Sequence, residues 1–280
     1  MHPKRLMNRL PRLIVIVCMI VACMPKWASS QDSQPPDSPS HARESAGEGS
    51  DSPTNRVVTW HSLPKAFLQD QKAIWWLFPA QLGKGHHWLP TLAIAGGAAG
   101  LIVADPHAMP YFRSHARNLD DLNDTFDAPI TSAEVILLPA SLMVAGYARH
   151  DSYQVATALL AGEAYADSAV VDLAVKAVTR RKRPSDVAAT GEFSDTFFAG
   201  GKSPFKGSSF PSGHAAGAFA VATVVATRYR THRWVPWAVY GFATAVSFSR
   251  VTTSAHFPSD IFLGAALGYT ITRYQVLRPR

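Results

Sequence analysis

Long alanine-, leucine- and valine-rich runs that lack two-residue alternation constrain this chain more than any other feature. They extend over Trp88 to Ala104, Val135 to Ala148, Tyr153 to Thr179, Gly213 to Thr227, Trp234 to Ser249 and Ile261 to Thr272, with polar connectors between them. Alanine and leucine favour helix, whereas a half-buried strand would alternate apolar with polar residues. The pattern predicts an all-α fold, a single helical bundle of about six core helices. Most of the charge-free runs are about 12 to 17 residues, short of the ~20 that a bilayer span needs, so a soluble core and a membrane bundle both remain open. Gly96, Gly97, Gly100, Gly264 and Gly268 would let helices approach closely in either setting.

The two ends of the chain separate themselves by composition. Residues 1–30 carry Lys4, Arg5, Arg9 and Arg12, followed by an uncharged run from Leu13 to Met24, the pattern of an export signal. Two exits are readable: a small-residue site at Ala28-Ser29-Ser30, or a lipoprotein-like box ending before Cys23. Retention of the run as a membrane anchor is a third. Residues 31–56 are rich in Ser, Pro, Asp, Glu and Gly and bury too little to offset ordering entropy, so a flexible linker is expected there, with the helical domain over 57–280.

The formal net charge of +7 falls to +2 without the first 30 residues, which hold five Lys or Arg and no acid. A near-neutral domain gives a nucleic-acid partner little electrostatic support. Cys18 and Cys23 both lie in the signal region, which leaves the domain without a disulfide or a thiolate metal site. Charges inside the apolar run around Leu159 to Lys176 (Glu163, Asp167, Asp172, Lys176) are costly unless they face water, a partner or a site. The stretch from Asp186 to Ser209, with Gly191, Gly200, Gly201, Pro204 and Gly207, reads as a long loop of the kind that often carries function.

Three segments concentrate cations, imidazoles and a carboxylate: Lys176 to Pro184, Ser209 to His214, and Ser249 to Asp260. Pro184 should end the first helix at Arg183. Dipole pairing at a helix end accounts for its cations on its own, but Lys176 and Arg183 also suit phosphate oxygens, with guanidinium supplying forked hydrogen bonds. Pro211-Ser212-Gly213 opens a helix, with Ser212 either a simple N-cap or part of an anion site made by the exposed N–H groups. His214 on that first turn is placed to give a proton to a leaving group. His256, just before Pro258, suits the first turn of the last helix. Asp260, four residues on, is in reach to fix its tautomer and leave the other nitrogen free to attack.

Together the three segments read Lys-x6-Arg-Pro, Pro-Ser-Gly-His and Ser-Arg-x5-His-x3-Asp without a gap. This resembles the signature of the type 2 phosphatidic acid phosphatase superfamily, which also includes class A acid phosphatases and vanadium haloperoxidases. The resemblance covers about Gly162 to Tyr274. It implies an all-helical bundle in which Lys176, Arg183 and Arg250 hold phosphate and Ser212 and Gly213 add hydrogen bonds. His256 would be the nucleophile, Asp260 would orient it, and His214 would protonate the leaving oxygen, with no metal or other cofactor.

The expected activity is hydrolysis of phosphate monoesters or lipid (di)phosphates through a phosphohistidine. The enzyme would be exported to a bacterial cell envelope, held at the membrane, and face the periplasm. A soluble periplasmic acid phosphatase, a vanadate-dependent haloperoxidase and a non-catalytic membrane scaffold of the same fold are the alternatives; substrate, oligomeric state and bilayer crossing are left open. Elsewhere, His86-His87 reads as a plain loop rather than a metal pair, Trp75, Trp76 and Trp88 as either an interfacial belt or core, and Asp120, Asp121 and Asp124 as a solvated connector.

Overall fold

The structure is a computed structural model that describes residues 58–116, 128–188, 191–201 and 208–278, together with Val21, Met24, Arg56 and Asn123. The rest of the expected signal and linker, both cysteines, Asp120, Asp121, Asp124, Pro204 and Gly207 lie outside the described residues.

Among the described residues there is no strand, as the sequence predicts. The helices are α1 (Leu63–Lys72), α2 (Phe78–Gly83), α3 (Trp88–His115), α4 (Ala128–Arg149), α5 (Ser152–Thr179), α6 (Gly213–Arg228), α7 (Trp234–Thr252) and α8 (Pro258–Ile271). Each of the six apolar runs lies on one of α3 to α8. The short pair α1 and α2, joined by a π-helical turn at Ala73–Leu77, is additional; its mixed composition hides it from a search for apolar runs.

Helix α6 is the centre of the bundle and packs against α5, α7 and α8, with α4 behind α5. Its small residues make this possible: Ala215, Ala216, Ala220, Val224 and Val225 are all essentially inaccessible. The α6–α8 crossing is closest. A Cβ at Gly264 would lie 2.4 Å from the Ser212 carbonyl oxygen, and one at Gly268 would lie 2.1 Å from that of Ala216. At these two positions backbone meets backbone, so the expected role of the glycines holds. Gly97 abuts the Phe262 ring, but Gly96 and Gly100 have nothing within 4 Å where a side chain would sit. Those two do not mediate an approach.

Helix α3 continues past the point where its apolar run stops, through Pro106 and Pro110. A proline removes a ladder hydrogen bond, yet packing against α8 and α7 and the buried contacts of Asp105 hold the chain in register. Among the described residues α3 is the one helix long and apolar enough to cross a membrane, and little of it is buried. Trp75, Trp76 and Trp88 are 39, 71 and 48% exposed, so the core-packing alternative does not hold for them. His86 and His87 are exposed where α3 begins.

The acids singled out in α5 are buried with partners. Arg56 Nη2 donates to Glu163 Oε1 at 3.0 Å, and Gln71 Nε2 to Asp167 Oδ1 at 2.7 Å. Val21 and Met24, from the segment read as a signal, pack into the main core, and Arg149 Nη1 donates to both of their carbonyl oxygens.

Candidate active site

The three signature segments meet at one end of the bundle. Lys176 is in the last turn of α5, but that helix stops at Thr179 rather than at Arg183. Arg180 takes a left-handed conformation (φ 40°) as its cap, and the chain is already extended at Arg183 before a 3-10 turn at Pro184–Asp186. The proline therefore sets the geometry of Arg183 without being what ends the helix. Lys176 Nζ donates to Asp172 Oδ2 at 2.6 Å, one turn back along α5, and burial pushes the Asp172 carboxyl up against the pull of that lysine.

Ser212 caps α6 as expected, its hydroxyl accepting from Ala215 N at 3.4 Å. The next residue, Gly213, is glycine, and a Cβ there would lie 2.9 Å from Asp172 Oδ2 and 3.1 Å from Lys176 Nζ, so those side-chain tips would have to shift to admit one. The α6 N-terminus is thereby pressed against the Lys176 ammonium, which concentrates positive potential at one point. Arg250, in the last turn of α7, is fully buried and donates through Nε and Nη2 to Ser249 Oγ.

His256 lies outside α8, in the turn that precedes it, because Phe257 and not His256 is the N-cap. Asp260 occupies the first turn of α8 and accepts from Phe257 N at 2.8 Å. The nearest partner of His256 is not Asp260. Its Nδ1 is 2.8 Å from the Ser209 carbonyl oxygen and 3.5 Å from Asp260 Oδ2. A carbonyl only accepts, so Nδ1 carries the hydrogen and Nε2 keeps its lone pair. Ser209 thus fixes the tautomer, with Asp260 as the adjacent charge.

The His256 and His214 rings stand edge to face with centroids 6.2 Å apart. His214 is held down to about 3, by burial first and then by His256, Arg250, Lys176 and Arg183. Those same neighbours show that the cations converge on the two imidazoles. His256 is also lowered, again by burial first, against the upward pull of Asp260. Burial pushes the Asp260 carboxyl up, but His256 and Arg181 outweigh it and hold it below the ordinary carboxylate range. Both imidazoles are therefore neutral at neutral pH. Arg183, Gly213 and His214 are the half-buried members of the set, so the solvent-facing side of the site is theirs.

Three participants were not visible in the sequence: the Ser209 carbonyl, Arg181 and Asp105. Arg181 is 1% exposed and donates to Asp260 Oδ1 and Asp105 Oδ2, each at 2.7 Å. Asp172, one of the acids in the α5 run that require water, a partner or a site, meets Lys176 here, whereas Arg181 lies inside the first segment with no mark of its own. Asp105 is an acid within an apolar helix, a signal of the same kind as Glu163, but it falls one residue beyond the run that was read.

Among the described residues one group of three acids lies close enough together to share a cation, Asp70, Glu163 and Asp167, and it contains none of the signature residues. An apolar cavity of about 700 Å³ between α1, α4 and α5, lined by Trp60, Phe67, Ile136 and Met143 among others, also lies apart from them.

Residues 156–278 match the PAP2 superfamily model. A 64-residue stretch is 39% identical to the lipid A 1-phosphatase of Porphyromonas gingivalis, covering 22% of this chain and 14% of that protein. The chain also matches the crystal structure of a transmembrane PAP2 type phosphatidylglycerolphosphate phosphatase from Bacillus subtilis at 17% identity and a TM-score of 0.36, over 76% of this chain and 92% of the other.

Proposed function

We propose that this chain is a metal-independent phosphatase that hydrolyses lipid phosphate monoesters through a phosphohistidine on His256. The observation that carries the proposal is the disposition of His256. Its Nδ1–H is tied to the Ser209 carbonyl, which leaves Nε2 as a lone pair in a space shared with His214 and three cations. In this reading Lys176, Arg183 and Arg250, with Ser212 and Gly213 at the start of α6, balance the phosphoryl oxygens. His256 Nε2 attacks phosphorus as the ester P–O bond breaks, and His214 gives its proton to the leaving oxygen. Water then gives a proton to His214 and attacks phosphorus, the N–P bond breaks, and phosphate takes that proton back from His214 and leaves as its monoanion.

Burial, and then the surrounding charges, keep His214 neutral at neutral pH. The proton it donates must therefore arrive with the substrate, as it does when the phosphate monoester enters as its monoanion below a second pKa of about 6. A lipid substrate is favoured by the exposed apolar length of α3, which we assign as the membrane segment, and by the exposed Trp76, Trp88 and Leu89 around its start. The lipid A 1-phosphatase that shares the 64-residue stretch acts, by its name, on a lipid phosphate. Residues 57–280 would form the catalytic domain, exported and held at the cell envelope with its site on the periplasmic side.

The test is rapid alkaline quench of the full chain in detergent with a ³²P-labelled phosphomonoester, followed by detection of alkali-stable, acid-labile label on histidine. Wild type should carry label, and His256→Ala should carry none and release no phosphate. His214→Ala should lose about 10²- to 10⁴-fold with an alkyl ester yet still be phosphorylated by an activated aryl ester. Label retained in His256→Ala would refute the assignment.

A further inference from the structure

We propose that Arg181, with Asp105 behind it, is a positioning residue that holds His256 in its attacking orientation. The inference rests on the phosphatase reading of the site and goes beyond the signature, since neither residue belongs to it.

The geometry gives Arg181 two routes to His256. Through its side chain, Nη1 donates to Asp260 Oδ1 at 2.7 Å, and the other oxygen of that carboxylate stands 3.5 Å from His256 Nδ1. Through its main chain, the Arg181 carbonyl accepts from Ser209 N at 2.8 Å, and the Ser209 carbonyl in turn accepts from His256 Nδ1. Both atoms that face Nδ1 are thus braced by one residue.

Arg181 does not itself reach the substrate. Of its five guanidinium N–H groups, four are committed, to Thr196 Oγ1, Ser259 Oγ, Asp260 Oδ1 and Asp105 Oδ2. The Phe257 ring lies 3.8 Å from its guanidinium carbon and the Phe197 ring 4.5 Å. Asp105 is equally committed: it accepts from Arg181, from Ser259 N at 3.2 Å and from the Ser259 hydroxyl. Arg181, Asp105 and Asp260 are all fully buried, so the chain of charges is not loosened by water. The result is a row, Asp105, Arg181, Asp260, His256, that begins on α3, outside the 156–278 match. A buried cation between two carboxylates has a steric role, fixing the carboxylate, and an electrical one, setting how strongly Asp260 draws a proton onto His256.

The test uses the full chain in detergent, with Arg181→Met, Arg181→Lys and Asp105→Asn. It measures kcat and KM on a phosphomonoester, vanadate affinity, and the protonation midpoint of His256 from ¹⁵N-histidine spectra. The charges facing His256 are Asp260 on α8, Lys176 on α5, Arg183, Arg250 on α7 and His214 on α6, and none of these is altered. Arg181→Met should lower kcat about 100-fold, as a misplacement near 1 Å does, with vanadate affinity within about threefold of wild type. Arg181→Lys should recover about tenfold of that loss. Removing the cation frees Asp260 and should raise the His256 midpoint by about one pH unit, whereas Asp105→Asn leaves Arg181 less neutralised and should lower it.

Opposite shifts are not expected of a residue that only stabilises the fold. An unchanged kcat in Arg181→Met, a vanadate affinity that falls as far as kcat, or a midpoint unmoved in both variants would overturn the proposal. If Arg181→Met does not fold, Arg181→Lys and Asp105→Asn decide by the same midpoints. A wild type that releases no phosphate while its midpoints shift as stated would sink the phosphatase reading and leave the positioning role standing; an active wild type with unmoved midpoints does the reverse.

Discussion

Gly264→Ala is the substitution whose outcome the backbone geometry fixes most tightly. The added Cβ would sit 2.4 Å from the Ser212 carbonyl oxygen, and real Cβ contacts essentially never fall below 3.0 Å, so α6 and α8 must part by about 0.6 Å, and by about 1 Å to reach an ordinary 3.4 Å contact. Neither partner is a flexible side-chain tip that could swing away. Ser212 caps α6, and its N–H donates to the Asp260 carbonyl oxygen at 2.9 Å, so the strain falls on the joint between the start of α6 and the turn that bears His256.

Overpacking of this kind costs about 1–3 kcal/mol, from which a helix-propensity gain of up to ~1 kcal/mol is subtracted. At about 2–4 °C per kcal/mol for a domain of this size, the melting temperature should fall by several degrees. The catalytic loss should be larger in proportion, because a separation near 1 Å between nucleophile and phosphate site costs on the order of 100-fold in kcat. Gly96→Ala is the matched control: the same change in an apolar helix, with nothing within 4 Å, should be neutral or stabilising by up to ~1 kcal/mol and leave kcat unchanged. Thermal unfolding in detergent and steady-state phosphate release read both. Wild-type turnover in Gly264→Ala, or equal damage from Gly96→Ala, would refute the reasoning.

The remaining expectations concern protons and metals. Because His256 and His214 are both depressed and stay neutral across the physiological range, kcat/KM should not rise between pH 6 and 8. It should fall about tenfold per unit above the second pKa of the substrate near 6, as the monoanion that carries the required proton is lost; a rate that climbs toward pH 8 would contradict this. The same depression predicts thermal stability that is full above about pH 6.5 and declines on acidification, since the unfolded chain takes up protons that the folded histidines refuse. On the proposed mechanism turnover should survive EDTA and be inhibited by vanadate, because side-chain cations would balance the phosphoryl charge. Loss of activity in chelator alone would redirect attention to Asp70, Glu163 and Asp167.

The helices were legible because alanine- and leucine-rich runs without two-residue alternation favour helix over strand. What escaped notice were α1 and α2, too short and mixed to stand out, and the second half of α3, where Pro106 reads as a stop that tertiary contacts override. The signature residues could be found because phosphate chemistry demands particular side chains. The Ser209 carbonyl had no such mark, since every residue has one. Arg181 and Asp105 are 76 positions apart and are joined only by folding; nothing in either neighbourhood announces the other. The expected His256–Asp260 pairing was sound in spacing but incomplete, as a closer acceptor arrives from the loop before α6.

The placement of Asp105 bears on how the protein can be cut or borrowed. A fragment that starts where the family match begins, at residue 156, would keep every signature side chain and still strand a guanidinium with one of its two counterions gone. The recognisable half of the molecule is therefore not an autonomous module, and grafting it onto another scaffold would require carrying along the proline-interrupted rod that supplies the missing charge.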